Sequence, residues 1–322
     1  HPLTSSGKEI FTSAAIKGTL RDKNGRIWVA TLRGGINILD DQRYRFKTLS
    51  PDLLQKDIYH NYFVSAFAED ASGNVWIGTD GNGINYWNRG NNTYTRYTKE
   101  GNNGLRSNNI TTVLSDHLHR LWVATWGGGI HRFNKVTNSF ESFQCIHPTK
   151  SITFKNVWAI YEDQQLNLWA STFGDGGLFL FNARLKRFEL FDDQVGNILS
   201  FTEDSKGRLW AGTDNKLIRI DRKSKKHLVF NIGYRVRSIL EDKDDLLWVA
   251  TEEGGLLLFN AATGKFTRYT ENEGLPNNAV LNILRDKKGA LWLSTFSGLS
   301  KFNPGTKKFQ NFFASDGLQS NQ

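Results

Sequence analysis

Short apolar segments alternate with polar, glycine-containing turns along most of this chain, and the alternation repeats. In the second repeat the apolar segments lie at 64–69, 75–79, 84–87 and 94–97. These segments are rich in β-branched and aromatic residues, as β-strands are. Asp70 and Gly73 lie in the first turn, where Asp can accept hydrogen bonds from local N–H groups and Gly supplies a positive φ. Each repeat therefore predicts an antiparallel meander of four strands.

Seven repeats align on a tryptophan, and the six intervals cover the 264 residues from Trp28 to Trp292, a mean of 44. The aligned residues are Trp28, Trp76, Trp122, Trp169, Trp210, Trp248 and Trp292. Six residues before each is an Asp: Asp22, Asp70, Asp116, Asp163, Asp204, Asp242 and Asp286. Three residues after each is a Thr: Thr31, Thr79, Thr125, Thr172, Thr213, Thr251 and Thr295. Ten residues before each lies a small or short residue: Gly18, Ala66, Thr112, Ala159, Ser200, Ser238 and Asn282.

One four-stranded meander cannot bury two apolar faces, whereas seven stacked meanders can. We therefore predict an all-β fold, a seven-bladed β-propeller of four-stranded antiparallel blades that forms a single domain over residues 1–322. The blade cores are predicted near 16–48, 64–97, 110–143, 157–191, 198–230, 236–270 and 280–313. The seven aligned Trp are expected to pack between blades. The competing predictions are two smaller domains or an open solenoid.

The repeat motif D-x-x-G-x-[ILV]-W-[VIL]-[AGS]-T-x-x-G-G is clearest at Asp22–Thr31, Asp70–Thr79 and Asp286–Thr295. It resembles the two-component regulator propeller repeat. The resemblance implies a periplasmic sensor region of a hybrid histidine kinase/response regulator of saccharolytic gut bacteria. It also implies two tandem propellers, a β-sandwich, one membrane helix and a cytoplasmic kinase, with glycan fragments as ligands and a homodimeric arrangement. The sequence departs from the motif at His119, Leu166 and Asp245, which replace the turn Gly, and the fifth repeat lacks the Gly pair.

Three aromatic residues, Trp126, Trp158 and Phe173, depart from the repeat and fall on the face that carries the connections between blades. Aromatic faces stack on the apolar C–H surfaces of sugar rings, so these residues are the first candidates for carbohydrate binding. The alternative is that they fill a central channel or pack against a neighbouring propeller.

A second candidate group is cationic and comprises Tyr234, Arg235, Arg237, Lys17 and Arg33. Arg side chains suit carboxylates and sulfates, and the chain has 41 Lys+Arg against 32 Asp+Glu, a net charge of +9, so an acidic glycan is a candidate ligand. The basic run Arg222–Lys226 is predicted to be a solvated turn on the opposite face. The charges are spread over several repeats and no nucleic-acid motif is present, so nucleic acid is not expected as a partner.

The lengths of the connections between blades also predict a ligand cleft. Three connections are long, Ser50–Tyr62, Lys99–Asn109 and Ile146–Asn156, and two are short, Asp192–Gly196 and Asn231–Tyr234. Long loops on one side and short loops on the other predict an uneven rim with a notch.

Catalysis, cofactors and metals are not expected. Cys145 is the single cysteine, and His117 and His119 lack a carboxylate set at ligand spacing, so a surface turn is the better interpretation. The Asp column is structural and faces away from the connections, so it cannot supply the paired carboxylates of a glycosidase. The alternatives to a sensor are a scaffold that only packs on a second propeller, and a propeller lyase or glycosidase.

The chain is expected to be part of a longer protein. It begins at His1 and contains no Met, and Asp316–Gln322 repeats the lead-in to the seventh repeat. No apolar run approaches the ~20 residues of a membrane-spanning helix.

Overall fold

The computed structural model describes residues 16–23, 26–31, 35–40, 45–49, 63–149, 152–174, 176–243 and 245–318. Its strands form seven sheets. In each sheet the four strands of one repeat pair in sequence order as an antiparallel meander. The fold is a seven-bladed β-propeller, as the sequence predicts. The chain divides into two compact units, His1–Val64 with Gly233–Gln322, and Ser65–Ile232.

The first unit contains blades 1, 6 and 7. Blade 1 comprises β1 (Ile16–Arg21), β2 (Ile27–Thr31), β3 (Gly35–Asp40) and β4 (Arg45–Leu49). Blade 6 comprises β23 (Arg235–Lys243), β24 (Leu246–Glu252), β25 (Gly255–Asn260) and β26 (Phe266–Tyr269). Blade 7 comprises β27 (Val280–Arg285), β28 (Leu291–Thr295), β29 (Gly298–Asn303) and β30 (Lys308–Phe312). Short 3₁₀ helices follow the last two blades at Glu271–Glu273 and Ala314–Asp316.

The second unit contains blades 2 to 5. Blade 2 comprises β5 (Phe63–Glu69), β6 (Val75–Asp80), β7 (Ile84–Asn88) and β8 (Thr93–Tyr97), followed by a 3₁₀ helix at Lys99–Gly101. Blade 3 comprises β9 (Ile110–Ser115), β10 (Leu121–Thr125), β11 (Gly129–Asn134) and β12 (Ser139–Phe143). Blade 4 comprises β15 (Val157–Glu162), β16 (Leu168–Thr172), β17 (Leu178–Asn182) and β18 (Arg187–Asp192). Blade 5 comprises β19 (Ser200–Glu203), β20 (Leu209–Gly212), β21 (Lys216–Ile220) and β22 (Leu228–Asn231).

Blade 4 has an addition that the repeat does not predict. The connection from blade 3 folds into a small hairpin of β13 (Cys145–Ile146) and β14 (Thr153–Phe154). Strand β13 pairs in parallel with β18, so this sheet has six strands. Cys145 is fully buried there, and burial raises the pKa of its thiol above the ordinary range.

The seven aligned Trp side chains are buried, none with more than 3% of its surface exposed. Within the units they pack against the second strand of the next blade, as predicted. Trp122, for example, packs against Leu168 and Ala170 of blade 4, and Trp292 packs against Ile27 and Val29 of blade 1. Burial of these large aromatic surfaces is the main favourable term in joining neighbouring blades.

The Asp and Thr columns are structural, and both make repeated hydrogen bonds. In five blades the Asp Oδ2 accepts a hydrogen bond from the indole N–H of the Trp six residues later, at 2.7–3.1 Å. The other carboxylate oxygen accepts backbone N–H groups of the turn, as in Asp116 with Leu118 and Arg120. The Thr hydroxyl closes the next turn by donating to a backbone carbonyl, as in Thr125 with Gly129 at 2.8 Å.

The three residues that replace the turn Gly keep the left-handed backbone that Gly would adopt. The φ angle is 56° at His119, 64° at Leu166 and 68° at Asp245. The turn geometry is therefore retained, and the unfavourable conformation of a residue with a Cβ is tolerated there.

Candidate functional site

The structure brings together the three aromatic residues that the sequence singles out. Trp126, Trp158 and Phe173, the aromatic cluster, come from blades 3 and 4. The ring centroids of Trp126 and Trp158 are 6.2 Å apart, those of Trp126 and Phe173 5.4 Å, and those of Trp158 and Phe173 6.4 Å. Trp126 and Trp158 are half-buried, and Phe173 is 37% exposed. The cluster therefore presents aromatic surface that the described residues do not cover.

A β-bulge places Trp158 in the cluster. In the pairing of β15 with β16, Val157 lies opposite Thr172 and Ala159 lies opposite Ser171, so the register shifts at Trp158, which is the extra residue of the bulge. A bulge re-aims the side chain of the extra residue. Lys17 and Arg237 occupy the same bulged position in blades 1 and 6. Three of the residues predicted as candidates thus share one backbone feature, which the sequence alone does not reveal.

Residues of the neighbouring strand hold the bulge in place. Thr112 Oγ1 donates to the carbonyl of Trp158 and Thr111 Oγ1 donates to the carbonyl of Val157, both at 2.7 Å. Thr112 belongs to the column of short residues, but that column does not predict these hydrogen bonds. The only available signal was the hydroxyl of Thr112, and it is a weak one because Ser200 and Ser238 also carry a hydroxyl at that position.

Asn156 connects the two turns that carry the other aromatic rings. Its backbone carbonyl accepts a hydrogen bond from Phe173 N at 2.9 Å, and its Oδ1 accepts one from Gly127 N at 3.1 Å. Gly127, next to Trp126, has a φ of 82° and no atom within 4 Å of the place where a Cβ would be. The space beside the Trp126 turn is therefore open.

The cationic group lies in the first unit and is partly neutralised. Glu252 Oε2 is 3.4 Å from Arg235 Nη1 and 3.8 Å from Arg237 Nη1. The Arg235 side chain is 46% exposed, and that of Arg237 is 14% exposed. Arg235 is therefore partly exposed and Arg237 is largely buried, and the two share the Glu252 carboxylate.

Tyr234 is held by an arginine that the sequence analysis missed. Arg268 Nη1 donates to the Tyr234 hydroxyl at 3.0 Å, and its guanidinium lies 4.9 Å from the centroid of the Tyr234 ring. Arg268 is on β26, more than thirty residues away, so no local sequence signal links the two. Lys17 is half-buried in β1, and Arg33 lies outside the described residues.

The long connections differ in what the structure describes. Lys99–Asn109 begins with the 3₁₀ helix, and Asn108 Oδ1 accepts the Lys99 N–H at 2.8 Å, which closes the loop on itself. Ile146–Asn156 contributes to the added hairpin of blade 4. Ser50–Tyr62 lies outside the described residues.

The carboxylates of the Asp column are poorly suited to proton transfer. Burial alone would raise the pKa of Asp116, but hydrogen bonds from Trp122 and Arg120 outweigh it and hold this pKa below the ordinary value. The pKa values of Asp22 and Asp286 are lowered in the same way. No group of three or more His, Cys, Asp or Glu side chains within the described ranges is arranged to hold a metal ion.

His117 belongs to a contact between blades. Its Nδ1 is 2.6 Å from Glu162 Oε1, and its backbone N–H donates to the other oxygen of the same carboxylate. His119 is the left-handed residue of the same turn. The two histidines therefore serve a turn that contacts blade 4.

Comparison with family models matches five segments of the chain to the two-component regulator propeller. The segments are 59–81, 104–127, 193–215, 232–253 and 274–297. These five segments are two-component regulator propeller repeats. The resemblance drawn from the D-x-x-G-x-[ILV]-W motif is thereby confirmed. The matching family is a regulator propeller, and this match agrees with the prediction that the chain itself is not an enzyme.

Among curated proteins, histidine kinase P4 of Formosa agariphila is 25% identical over 313 residues. The match covers 90% of this chain and 22% of that protein, so the chain corresponds to about a fifth of its relative.

Solved structures share the fold. The extracellular domain of the B. thetaiotaomicron protein BT3049, described as a hybrid two-component system, is 22% identical with a TM-score of 0.74, over 92% of this chain and 40% of that one. PorZ, a surface component of the type IX secretion system of Porphyromonas gingivalis, is 18% identical with a TM-score of 0.68, over 91% and 47%. A streptogramin B lyase is 14% identical with a TM-score of 0.71, over 90% and 94%. At these identities the likenesses establish the propeller fold alone. No helix among the described residues has the length and apolar character needed to cross a membrane.

Proposed function

We propose that this chain is a periplasmic sensor propeller of a hybrid two-component system and that its aromatic cluster binds a glycan fragment. The observation that carries the proposal is the meeting of Trp126, Trp158 and Phe173 across two blades, with aromatic surface left exposed. The repeat does not require any of these three side chains, since most other blades carry no aromatic residue at the equivalent positions.

The geometry of the cluster suits a saccharide. Two half-buried Trp rings meet at an interplanar angle of 88°, which forms a corner with two apolar faces. The alternating polar rim and apolar C–H faces of a pyranose match such a corner, where one ring stacks and the other bounds the site. Backbone and amide groups around Gly127 and Asn156 lie beside it to provide polar contacts.

The regulator propeller family and the kinase relative support the proposal of a signalling role. In the whole protein the ligand would shift the arrangement of this propeller relative to a second propeller and a β-sandwich, in a homodimer anchored in the inner membrane. A ligand can shift such an equilibrium only by its difference in affinity for the two arrangements. Binding by this chain alone is therefore the first thing to measure.

Isothermal titration of the chain with neutral and acidic oligosaccharides tests the proposal. Trp126→Ala and Trp158→Ala should each weaken binding by tenfold or more, on the order of the 1.4 kcal/mol that an aromatic contact contributes. Phe266→Ala is the matched control, because Phe266 is 40% exposed on β26, in another blade. Unchanged affinity in both Trp variants would show that the ligand does not bind at the aromatic cluster. Binding by the whole sensor region but not by this chain would favour the scaffold role.

A further inference from the structure

A cleft of about 600 Å³ lies between blades 4 and 5. Blade 4 contributes Gln165 and Asn167 from the β15–β16 turn, together with Trp169 and Phe191. Trp158 and Phe173 flank the other end of the same two strands, so the cleft and the aromatic cluster lie at opposite ends of the β15–β16 hairpin. The volume falls in the range of small-molecule sites, which is about 300–1,000 Å³.

The charge of the lining is strongly one-sided. Among the described residues that line the cleft, one carries a negative charge, Asp221, and five carry a positive charge: Arg208, Arg219, Arg222, Lys223 and Lys226. Two of the five are neutralised by the fold. Arg208 pairs with Asp204 at 2.6 Å, and Arg222 pairs with Asp163 at 3.0 Å and with Glu203 at 2.6 Å.

The other three cations, Arg219, Lys223 and Lys226, have no carboxylate within ion-pair distance among the described residues. The register shows what is different about blade 5. In blade 3 the residue opposite the Trp is Arg132, whose cross-strand neighbour Glu141 binds it at 2.8 Å. In blade 5 the same position is Arg219, and its cross-strand neighbour is Leu228. Arg219 in blade 5 therefore lacks the cross-strand carboxylate that neutralises Arg132 in blade 3.

The basic turn 221–227 is fixed against blade 4. Lys225 Nζ donates to the carbonyl of Phe191 at 2.5 Å, and His227 Nε2 is 3.2 Å from Asp192 Oδ2. The prediction of a solvated turn is thus wrong for Arg222, whose side chain is 15% exposed, and right for the exposed Lys223 and Lys226. Because these contacts fix the turn, Lys223 and Lys226 are presented at fixed positions, which reduces the entropic cost of binding a ligand.

The one carboxylate in the lining is engaged in shaping the turn. Asp221 Oδ1 accepts the N–H groups of Lys223 and Ser224, both at 2.8 Å. These hydrogen bonds, from Ser224 first, lower the pKa of Asp221 to about 2. Asp221 therefore organises the loop that carries the two lysines, and its charge is directed at backbone N–H groups.

We propose that this cleft is a second ligand site and that it binds a compact polyanion the size of a small oligosaccharide, through its sulfate or carboxylate groups. Lys ammonium groups act as point charges for sulfate oxygens, and Arg219 offers a planar fork for a carboxylate. Phe191 and the amides of Gln165 and Asn167 supply the apolar and hydrogen-bonding surface that a sugar ring needs and a simple ion does not. The site stands whether or not the aromatic cluster binds glycan.

The test is titration of this chain with a sulfated disaccharide, and the variant is Lys223→Gln with Lys226→Gln. The affinity should fall at least tenfold, and raising the salt from low to physiological should weaken wild-type binding severalfold. The matched control is Lys135→Gln with Lys265→Gln, which removes two exposed lysines from equivalent turns of blades 3 and 6 and should leave the affinity within twofold.

Further arms identify the source of the negative charge. A neutral disaccharide, which carries neither sulfate nor carboxylate, should not bind at this site. If inorganic sulfate binds as tightly as the disaccharide, or a short poly-glutamate peptide binds where the disaccharide does not, the proposal of an anionic saccharide is wrong. Trp126→Ala should retain the sulfated disaccharide. If it abolishes that binding, the ligand occupies the aromatic cluster instead, and the cleft is not the site.

Discussion

The Oδ1 atom of Asn156 accepts a hydrogen bond from the backbone N–H of Gly127 at 3.1 Å. This bond crosses from the start of blade 4 to the turn of blade 3 that carries Trp126. The same residue receives the N–H of Phe173 on its backbone carbonyl. Two aromatic rings of the cluster are therefore positioned by one asparagine.

Asn156→Ala should weaken oligosaccharide binding without unfolding the protein. The substitution removes the bond to Gly127 and keeps the backbone bond to Phe173, so only the Trp126 turn is released. The loss of one hydrogen bond of about 1 kcal/mol predicts a roughly fivefold drop in affinity by titration. Asn109→Ala is the control, because the Asn109 contact to Trp126 uses its backbone carbonyl. An equal loss in both variants would contradict the assigned role of the Asn156 side chain.

Asp116→Ala should be strongly destabilising. The Asp116 carboxylate accepts the buried indole N–H of Trp122 at 2.8 Å, two turn N–H groups and the Arg120 side chain. Leaving these donors unsatisfied should lower the free energy of unfolding by about 3 kcal/mol, measured by urea denaturation.

The control for Asp116 is its counterpart in blade 6. The indole N–H of Trp248 has no hydrogen-bond partner among the described residues, and Asp242 instead pairs with Arg285 at 2.7 Å. Asp242→Ala should therefore cost less than about 1 kcal/mol, as expected for a partly exposed ion pair. Equal losses at the two positions would show that the indole bond does not account for the stability of the repeat.

The period of the sequence was enough to predict the blades. A Trp every 44 residues on average, with Asp before it and Thr after it, specifies where a strand lies, which turns flank it and which side chain is buried. The first strand of blade 6 is longer than its counterparts, β23 reaching Lys243, yet Trp248 is still buried. The indole N–H of Trp248 has no hydrogen-bond partner among the described residues, although the side chain is buried. Packing between blades therefore tolerates the loss of the Asp–Trp hydrogen bond of the repeat.

Features set by contacts distant in sequence could not be predicted. The added hairpin of blade 4 uses two-residue strands, Cys145–Ile146 and Thr153–Phe154, which are too short to show a period. Arg268 contacts Tyr234 because the pairing of β26 with β25 places it there, although the two residues are far apart in sequence. The grouping of Trp126, Trp158 and Phe173 was predictable because the repeat assigns all three to one face, whereas the bulge that re-aims Trp158 has no sequence signature.

Leu166→Gly should stabilise the protein. Leu166 has a φ of 64° and is 55% exposed, so its side chain has little packing to lose and its backbone conformation favours glycine. Relief of the left-handed conformation is worth about 1 kcal/mol and should raise Tm by roughly 2 °C in a thermal melt. Leu185→Gly is the control, since Leu185 is similarly exposed in a turn but is not among the residues with positive φ. A lower Tm for Leu166→Gly would contradict the prediction.

His131→Gln should change the pH dependence of stability. Burial, with a smaller contribution from Arg106, lowers the pKa of His131 from 6.5 to about 4. The unfolded chain therefore binds a proton between pH 6.5 and 4 that the folded chain excludes, so the His131 contribution is complete above pH 6.5 and declines as the pH falls. For the wild type this amounts to about 3 kcal/mol between pH 7 and 4.

The measurement compares urea denaturation at pH 7 and at pH 4 for the wild type and His131→Gln. The variant should lose less stability over this interval, whatever its absolute stability at pH 7. Parallel curves for the wild type and His131→Gln would exclude His131 as the group responsible.

Glu252→Gln tests whether the cationic group binds an acidic ligand. Glu252 lies within 4 Å of both Arg235 and Arg237, so a carboxylate or sulfate on a ligand must compete with it. Removing this charge should raise the affinity for a uronate-containing oligosaccharide about three- to tenfold and leave neutral oligosaccharides unaffected. Glu253→Gln is the matched control, because it removes the same charge from the adjacent, exposed position. Since the effect is electrostatic, the difference between the two variants should shrink as salt is added. If the acidic ligand binds equally well to both variants at low salt, Arg235 and Arg237 serve only their ion pair with Glu252.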